Sequence, residues 1–198
     1  MNLKVTVHAP ESFRRLVADV GPLGRRQLHE QMGMEAQVLT IVHLQRLADT
    51  RHDTAEKLGA APTGFLAEAS EKVALAANNE DATLTIDHPG IGRAFHAVTI
   101  SPKNAKSLAI PIHAIAYGHR ARFLWTQISL FIPKGCNFIA MKGPDGKSII
   151  PLYILVRSVT QKQDRTLLPS DEEYESAAKL GADNYIRSVL EKRGATAQ

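Results

Sequence analysis

The chain has 198 residues, 44% of them hydrophobic and 22% charged, a balance that excludes wholesale disorder and leaves enough chain for a core without staples. Its net charge of +4, from 24 Lys and Arg against 20 Asp and Glu, is mildly basic and does not by itself predict a nucleic-acid partner. A single cysteine, Cys136, excludes an internal disulfide.

The predicted elements begin with a half-buried strand, in which Leu3, Val5 and Val7 alternate with Lys4 and Thr6. Phe13, Leu16, Val17 and Val20 are spaced for one face of a short helix, ended by Gly21-Pro22-Leu23-Gly24. A long helix is predicted over 25–48. Leu28, Met32, Leu39 and Val42 share one arc of it, with Glu30, Gln37 and Thr40 opposite. Ile41, Leu44 and Leu47 fall outside the main arc. A helix apolar on more than one side needs more than one neighbour, so it is either central in the fold or part of a subunit interface. Residues 51–63 read as a polar loop. Phe65, Ala69, Val73 and Ala76 predict a second helix, ending near Asn78 and Asn79.

Residues 83–87 alternate as a strand, and His88-Pro89-Gly90 turns the chain. Residues 95–100 and 108–110 are further strands. Residues 114–125 form either a short helix or an excursion from the sheet. The β-branched and aromatic runs 137–141 and 149–156 flank Lys142-Gly143-Pro144-Asp145-Gly146-Lys147, a turn sequence, and predict an antiparallel hairpin. Pro151 belongs at an edge or bulge because it cannot donate to a ladder. Residues 161–169 are polar and extended. Ser170-Asp171-Glu172-Glu173 reads as a capping box opening a final helix. Its stripe is Tyr174, Ala178, Tyr185 and Val189, with Gly194 as the stop. The fold class is therefore α+β: an antiparallel-rich sheet with a long helix in the N-terminal half and a C-terminal helix. The length fits a single domain with arms, its core over 25–160 and a helical arm over 170–193.

Candidate chemistry is sparse. The eight histidines show no paired metal-ligand spacing, and no Cys-x-x-Cys is present. There is no nucleophile elbow and no P-loop, and Gly90-Ile91-Gly92 reads as a turn. Cys136 reads as a small residue entering a strand. The expectation is therefore no catalytic residue, no cofactor and no metal. The candidate interface residues are Met34, Ile41, Leu44 and Leu47 on the long helix, with Tyr174 and Tyr185 on the last one. Lys103, Lys106, Arg120 and Arg122 are the candidate DNA-facing residues, interleaved with Tyr117, Phe123 and Trp125. The plainer reading is that these aromatics pack while the cations are solvated.

From His88 onward the order of segments carries a resemblance. These are His88-Pro89-Gly90-Ile91 with Arg93; Thr99-Ile100-Ser101-Pro102-Lys103 with Lys106; and Leu108-Ala109-Ile110-Pro111. Ala116-Tyr117-Gly118, Leu155-Val156-Arg157-Ser158-Val159 and Leu167-Leu168-Pro169 follow. In this order they resemble the minor tail, tail-completion and virion-morphogenesis proteins of tailed bacteriophages. The chain departs from that pattern at Ala97-Val98, where a Gly-Gly pair is usual. The resemblance implies a non-catalytic virion subunit, made in the host cytoplasm. It implies a homo-oligomeric ring, a hexamer being one candidate, at the head–tail junction or tail top. Its partners would be connector or neck proteins and the tail tube or tail terminator, with phage DNA passing nearby. No apolar run follows the N-terminus as a signal peptide would, and none is long enough to span a bilayer, so no membrane partner is expected. The rival reading is a DNA-binding accessory of genome packaging that uses the basic middle region.

Overall fold

A computed structural model of the chain describes residues 3–7 and 21–195. The short helix expected near Phe13 to Val20 lies outside the described residues. The fold is α+β with antiparallel sheets. The chain divides into two compact units. The first combines Met1–Ala48, Phe65–His96 and Asp164–Gln198; the second combines Asp49–Gly64 and Ala97–Gln163.

In the first unit, β1 (Leu3–Val7), β2 (Val73–Ala77) and β3 (Ala82–Ile86) form an antiparallel sheet with β3 in the middle. The alternation predicted for Leu3 to Val7 is realised: Leu3 and Val7 are buried, and Lys4 and Thr6 are exposed. Residues 73–76, predicted as helix, are instead β2, paired from Val73↔Ile86 to Ala77↔Ala82. The helical part stops at Ser70, in α3 (Phe65–Ser70). Asn78 closes the β2–β3 hairpin. Its side-chain oxygen accepts the N–H groups of Glu80 and Asp81, at 2.6 and 2.9 Å. This local turn bond outcompetes the helical alternative for so short an apolar run.

The long helix α1 spans Gly21–Thr50, starting earlier than its periodicity indicates. Leu28, Met32, Ala36, Thr40 and Leu44 are all buried. A spacing of four advances about 40° per step around a helix, so the buried stripe winds about 160° along α1. This drift explains why the apolar residues exceed one arc. The first half packs with Val7, Leu84, Tyr174, Ala178, Ala182 and Tyr185. The second half packs Leu44 with Leu3, Leu66, Val73, Ile86 and Ile91, and with Leu167 and Leu168. The drift also corrects two expectations. Val42 is 55% exposed, and Thr40 is buried. The Thr40 hydroxyl is satisfied there by the Ala36 carbonyl at 2.7 Å and the Tyr174 hydroxyl at 2.9 Å.

The stripe of the last helix, α6 (Asp171–Ala195), lies in the core of this unit. The helix runs on through Gly194, the predicted stop. Its capping box forms as expected. The Ser170 N–H donates to Glu173 at 2.8 Å, and the Glu173 N–H donates to the Ser170 hydroxyl at 3.2 Å. The residue that sets its approach to α1 is Gly181, where a Cβ would lie 2.5 Å from the Gln31 carbonyl oxygen and 2.7 Å from the Met32 Cα. The two backbones are therefore close at this crossing. His88-Pro89-Gly90, expected as a turn, opens the helix α4 (Pro89–Phe95), with Pro89 in its first turn. The strand predicted over 95–100 is accordingly only Val98–Ile100.

In the second unit, the loop predicted over 51–63 contains the helix α2 (Asp53–Leu58), closed at Gly59. β4 (Val98–Ile100) pairs with β9 (Val159–Gln161). β5 (Leu108–Pro111), β6 (Leu130–Phe131), β7 (Phe138–Lys142) and β8 (Ile149–Val156) form a sheet in the order β5-β8-β7-β6. The predicted β7–β8 hairpin is present. Asp145 ties its turn by accepting the Ser148 hydroxyl at 2.6 Å and the Ser148 and Lys147 N–H groups at 2.9 and 3.1 Å. β8 is an inner strand. Pro151 is tolerated because the register skips Leu152, passing from Ile139↔Tyr153 to Ala140↔Pro151. Tyr153, fully buried, donates its hydroxyl to the His119 carbonyl at 3.0 Å, tying the 114–120 segment to the sheet.

Two predictions follow from this packing. Gly→Ala at an open helix position gains about 1 kcal/mol. Gly181→Ala should instead cost about 1–3 kcal/mol by overpacking against backbone, read as a lower urea midpoint. A raised midpoint would contradict the close crossing. The second concerns acid. The Ser170 N–H holds the Glu173 carboxyl below its usual range, helped by the Ser170 hydroxyl and by His43 and Arg46. A depressed carboxylate stabilises the fold above its unfolded value, and that stability is lost as pH falls through its lowered folded value, beneath the ordinary glutamate range. Glu173→Gln keeps a capping acceptor without titrating. Its stability should fall less steeply than wild type in that acid window, measured by urea unfolding across pH.

Candidate interaction surfaces

Among the described residues both units present exposed apolar side chains, and the two surfaces described below differ in charge. On the first unit an open groove of about 610 Å³ runs between α1 and α6. Its floor includes Leu39 and Ala177. Its apolar walls are Val38, Val42 and Leu180, exposed by 57%, 55% and 52%. Val38 and Val42 are one turn apart on α1 and so share a face. Glu35, Glu172 and Glu173 line the groove, and no Lys or Arg does. Glu35 is held toward α6 by the Asn184 amide at 3.4 Å.

On the second unit the helix α5 (Ala121–Gln127) is anchored by Leu124, which is buried with Leu130, Ile139, Leu152 and Tyr153. Ala121 packs partly against the same cluster, and the positions from Arg122 to Gln127 other than Leu124 are exposed. Phe123 is 49% exposed and Trp125 46%. The expectation that these aromatics pack inside is therefore overturned. A seven-residue helix resting on one sheet has room for a single buried anchor, and Leu124 takes it. The His119 ring stacks on Phe123, with centroids 5.8 Å apart. Arg120 precedes the helix and Arg122 lies within it, both exposed. Arg122 and Trp125 are three residues apart and hence neighbours on one helix face.

The sequence-derived candidates divide accordingly. Leu44, Tyr174 and Tyr185 are buried in the core of the first unit. Ile41 and Leu47 are partly buried against the same core. Met34 is 42% exposed but does not line the groove. Lys103, Lys106, Arg120 and Arg122 are all exposed on the second unit. Cys136 is exposed in the turn before β7 rather than buried. The histidines are dispersed: His29 bonds the Asn78 carbonyl, His43 the Thr166 carbonyl, and His88 lies beside Phe65 and Glu68. Among the described residues no group of three His, Cys, Asp or Glu could hold a metal ion. No helix among them is long and apolar enough to cross a membrane.

The charge is unevenly distributed along the sequence. No Asp or Glu occurs between Asp87 and Asp145, while seven Lys and Arg do. The second unit holds eleven Lys and Arg against four Asp and Glu, and the first holds thirteen against sixteen. The net charges are therefore +7 and −3, which together give the chain's +4.

Comparison with known proteins gives no match: no family model, no curated protein and no solved structure aligns with the chain.

Trp125 is the chain's single tryptophan, so its fluorescence reports this face. At dilutions where the chain is monomeric it should emit as a solvent-exposed indole and be quenched readily by acrylamide. A blue-shifted, shielded emission under those conditions would contradict the exposed face.

Proposed function

We propose that this protein is a non-catalytic assembly subunit of a tailed-phage virion. In this reading it forms a homo-oligomeric ring at the head–tail junction or tail top and joins head to tail after synthesis in the host cytoplasm. The observation that carries the reading is the pair of exposed apolar faces on one chain. Exposed patches with charged rims mark association sites rather than reaction sites. Two separate faces allow each subunit two neighbours, as a ring requires. The order of segments from His88 to Pro169 is what connects such a subunit with phage tails.

A specific observation favours a second reading, in which the chain is a DNA-binding accessory in packaging. The +7 unit bears exposed Phe123 and Trp125 beside Arg120 and Arg122, a combination able to neutralise phosphate and stack on bases. Deletion of the gene separates the two. Filled heads and finished tails that fail to join, or tails with abnormal tops, are expected. Joined particles with a defect confined to genome packaging or replication would reject the ring in favour of the accessory. A gel shift whose affinity falls steeply between 50 and 200 mM salt would support the same alternative, since counterion release sets that slope.

A further inference from the structure

We propose that copies of this chain join head to tail: the acid-lined apolar groove between α1 and α6 of one copy receives the basic aromatic face of α5 from the next. The inference rests on the ring reading and names its contact.

The case begins with charge. The groove is lined by Glu35, Glu172 and Glu173 and by no Lys or Arg, while His43 and Arg46 lie near enough to Glu173 to act on its carboxyl, leaving Glu35 and Glu172 as its main acids. The α5 face carries Arg120 and Arg122 and lies in a stretch with no Asp or Glu from 88 to 144. Groove against groove would oppose carboxylates, and α5 against α5 would oppose guanidinium groups. Like faces therefore repel, and unlike faces attract. Because the units carry −3 and +7, the same preference acts at longer range to orient approaching copies.

The apolar components match as well. Val38, Val42 and Leu180 form walls that water now covers. Trp125 is about half exposed on the partner face, with Arg122 three residues away on the same side, while Phe123, two residues from Trp125, lies across Leu124 on the other side of α5. Burying an aromatic removes about 150–250 Å² from water, and Trp and Arg are the residues that most often anchor interfaces. A guanidinium beside an indole also keeps a directional partner for a carboxylate at the groove edge.

Two different patches make the contact, so each copy offers one groove and one α5 face. Made with a different neighbour at each face, the contact closes into a ring or continues as a filament; made reciprocally, it closes as a two-fold dimer, and the ring reading takes the first.

The experiment uses two charge-reversed chains. One carries Glu35→Lys and Glu172→Lys, and the other carries Arg120→Glu and Arg122→Glu. Sedimentation velocity reads assembly, and circular dichroism melting confirms that each chain is folded. Wild type should assemble. Each reversed chain alone should self-associate at least tenfold more weakly, because its groove and face now bear the same sign. Mixed one to one, they should assemble again, because each groove meets an opposite face. Trp125→Ala, at an exposed position, should weaken assembly without lowering the melting temperature. Four outcomes would overturn the contact: a wild type that stays monomeric at 100 µM, reversed chains that assemble normally alone, a mixture that fails to recover, or an Arg120/Arg122 reversal that abolishes binding to a DNA duplex while leaving assembly intact. Failure here with a head–tail joining defect on gene deletion removes this contact and spares the ring. Success here with normal joining removes the phage role and spares the contact.

Discussion

The close approach of α1 and α6 at Gly181 is the constraint on which the first unit depends. A glycine in a helix interior costs about 1 kcal/mol in propensity, and here it lets two backbones meet where a methyl group would collide with the Gln31 carbonyl. That proximity brings Tyr174, Ala178 and Tyr185 onto the Leu28–Met32–Ala36 side of α1 and lets the Tyr174 hydroxyl reach Thr40. It also shapes the outer surface. Two helices packed this tightly leave a shallow groove along their outer line, and Val38, Val42 and Leu180 line it because the buried stripe has wound away from them.

The second unit solves a different problem. Its sheet is anchored by Tyr153 and Leu152 and supports a short helix with one inward residue, Leu124. A helix this small cannot bury Phe123 and Trp125 as well, so the aromatic side chains remain in water beside two arginines. Exposed apolar area of this kind raises the free energy of the isolated subunit and is offset only when a partner covers it.

Charge distinguishes the two units. A net +4 spread evenly would give weak and unselective electrostatics. Divided as −3 and +7, it gives each face a sign, and that favours unlike contacts over like ones. The same positive unit is what makes nucleic acid the competing partner, since phosphate and carboxylate are read by the same guanidinium chemistry.

Local signals determined much of this protein. The period-two pattern of Leu3 to Val7, the Pro-Asp-Gly turn between β7 and β8, the Ser170 capping box and the long α1 were legible because each rests on interactions within a few residues. The absence of acids between Asp87 and Asp145 was equally written there. Only tertiary structure decided that residues 73–77 are strand, since their helical spacing is also compatible with pairing to β3. It alone decided that Leu44, Tyr174 and Tyr185 are core and that Phe123 and Trp125 are surface. Burial depends on which neighbours arrive from distant parts of the chain, and a drifting four-residue stripe, a backbone crossing at a glycine and a seven-residue helix on a sheet set those arrivals through packing between elements.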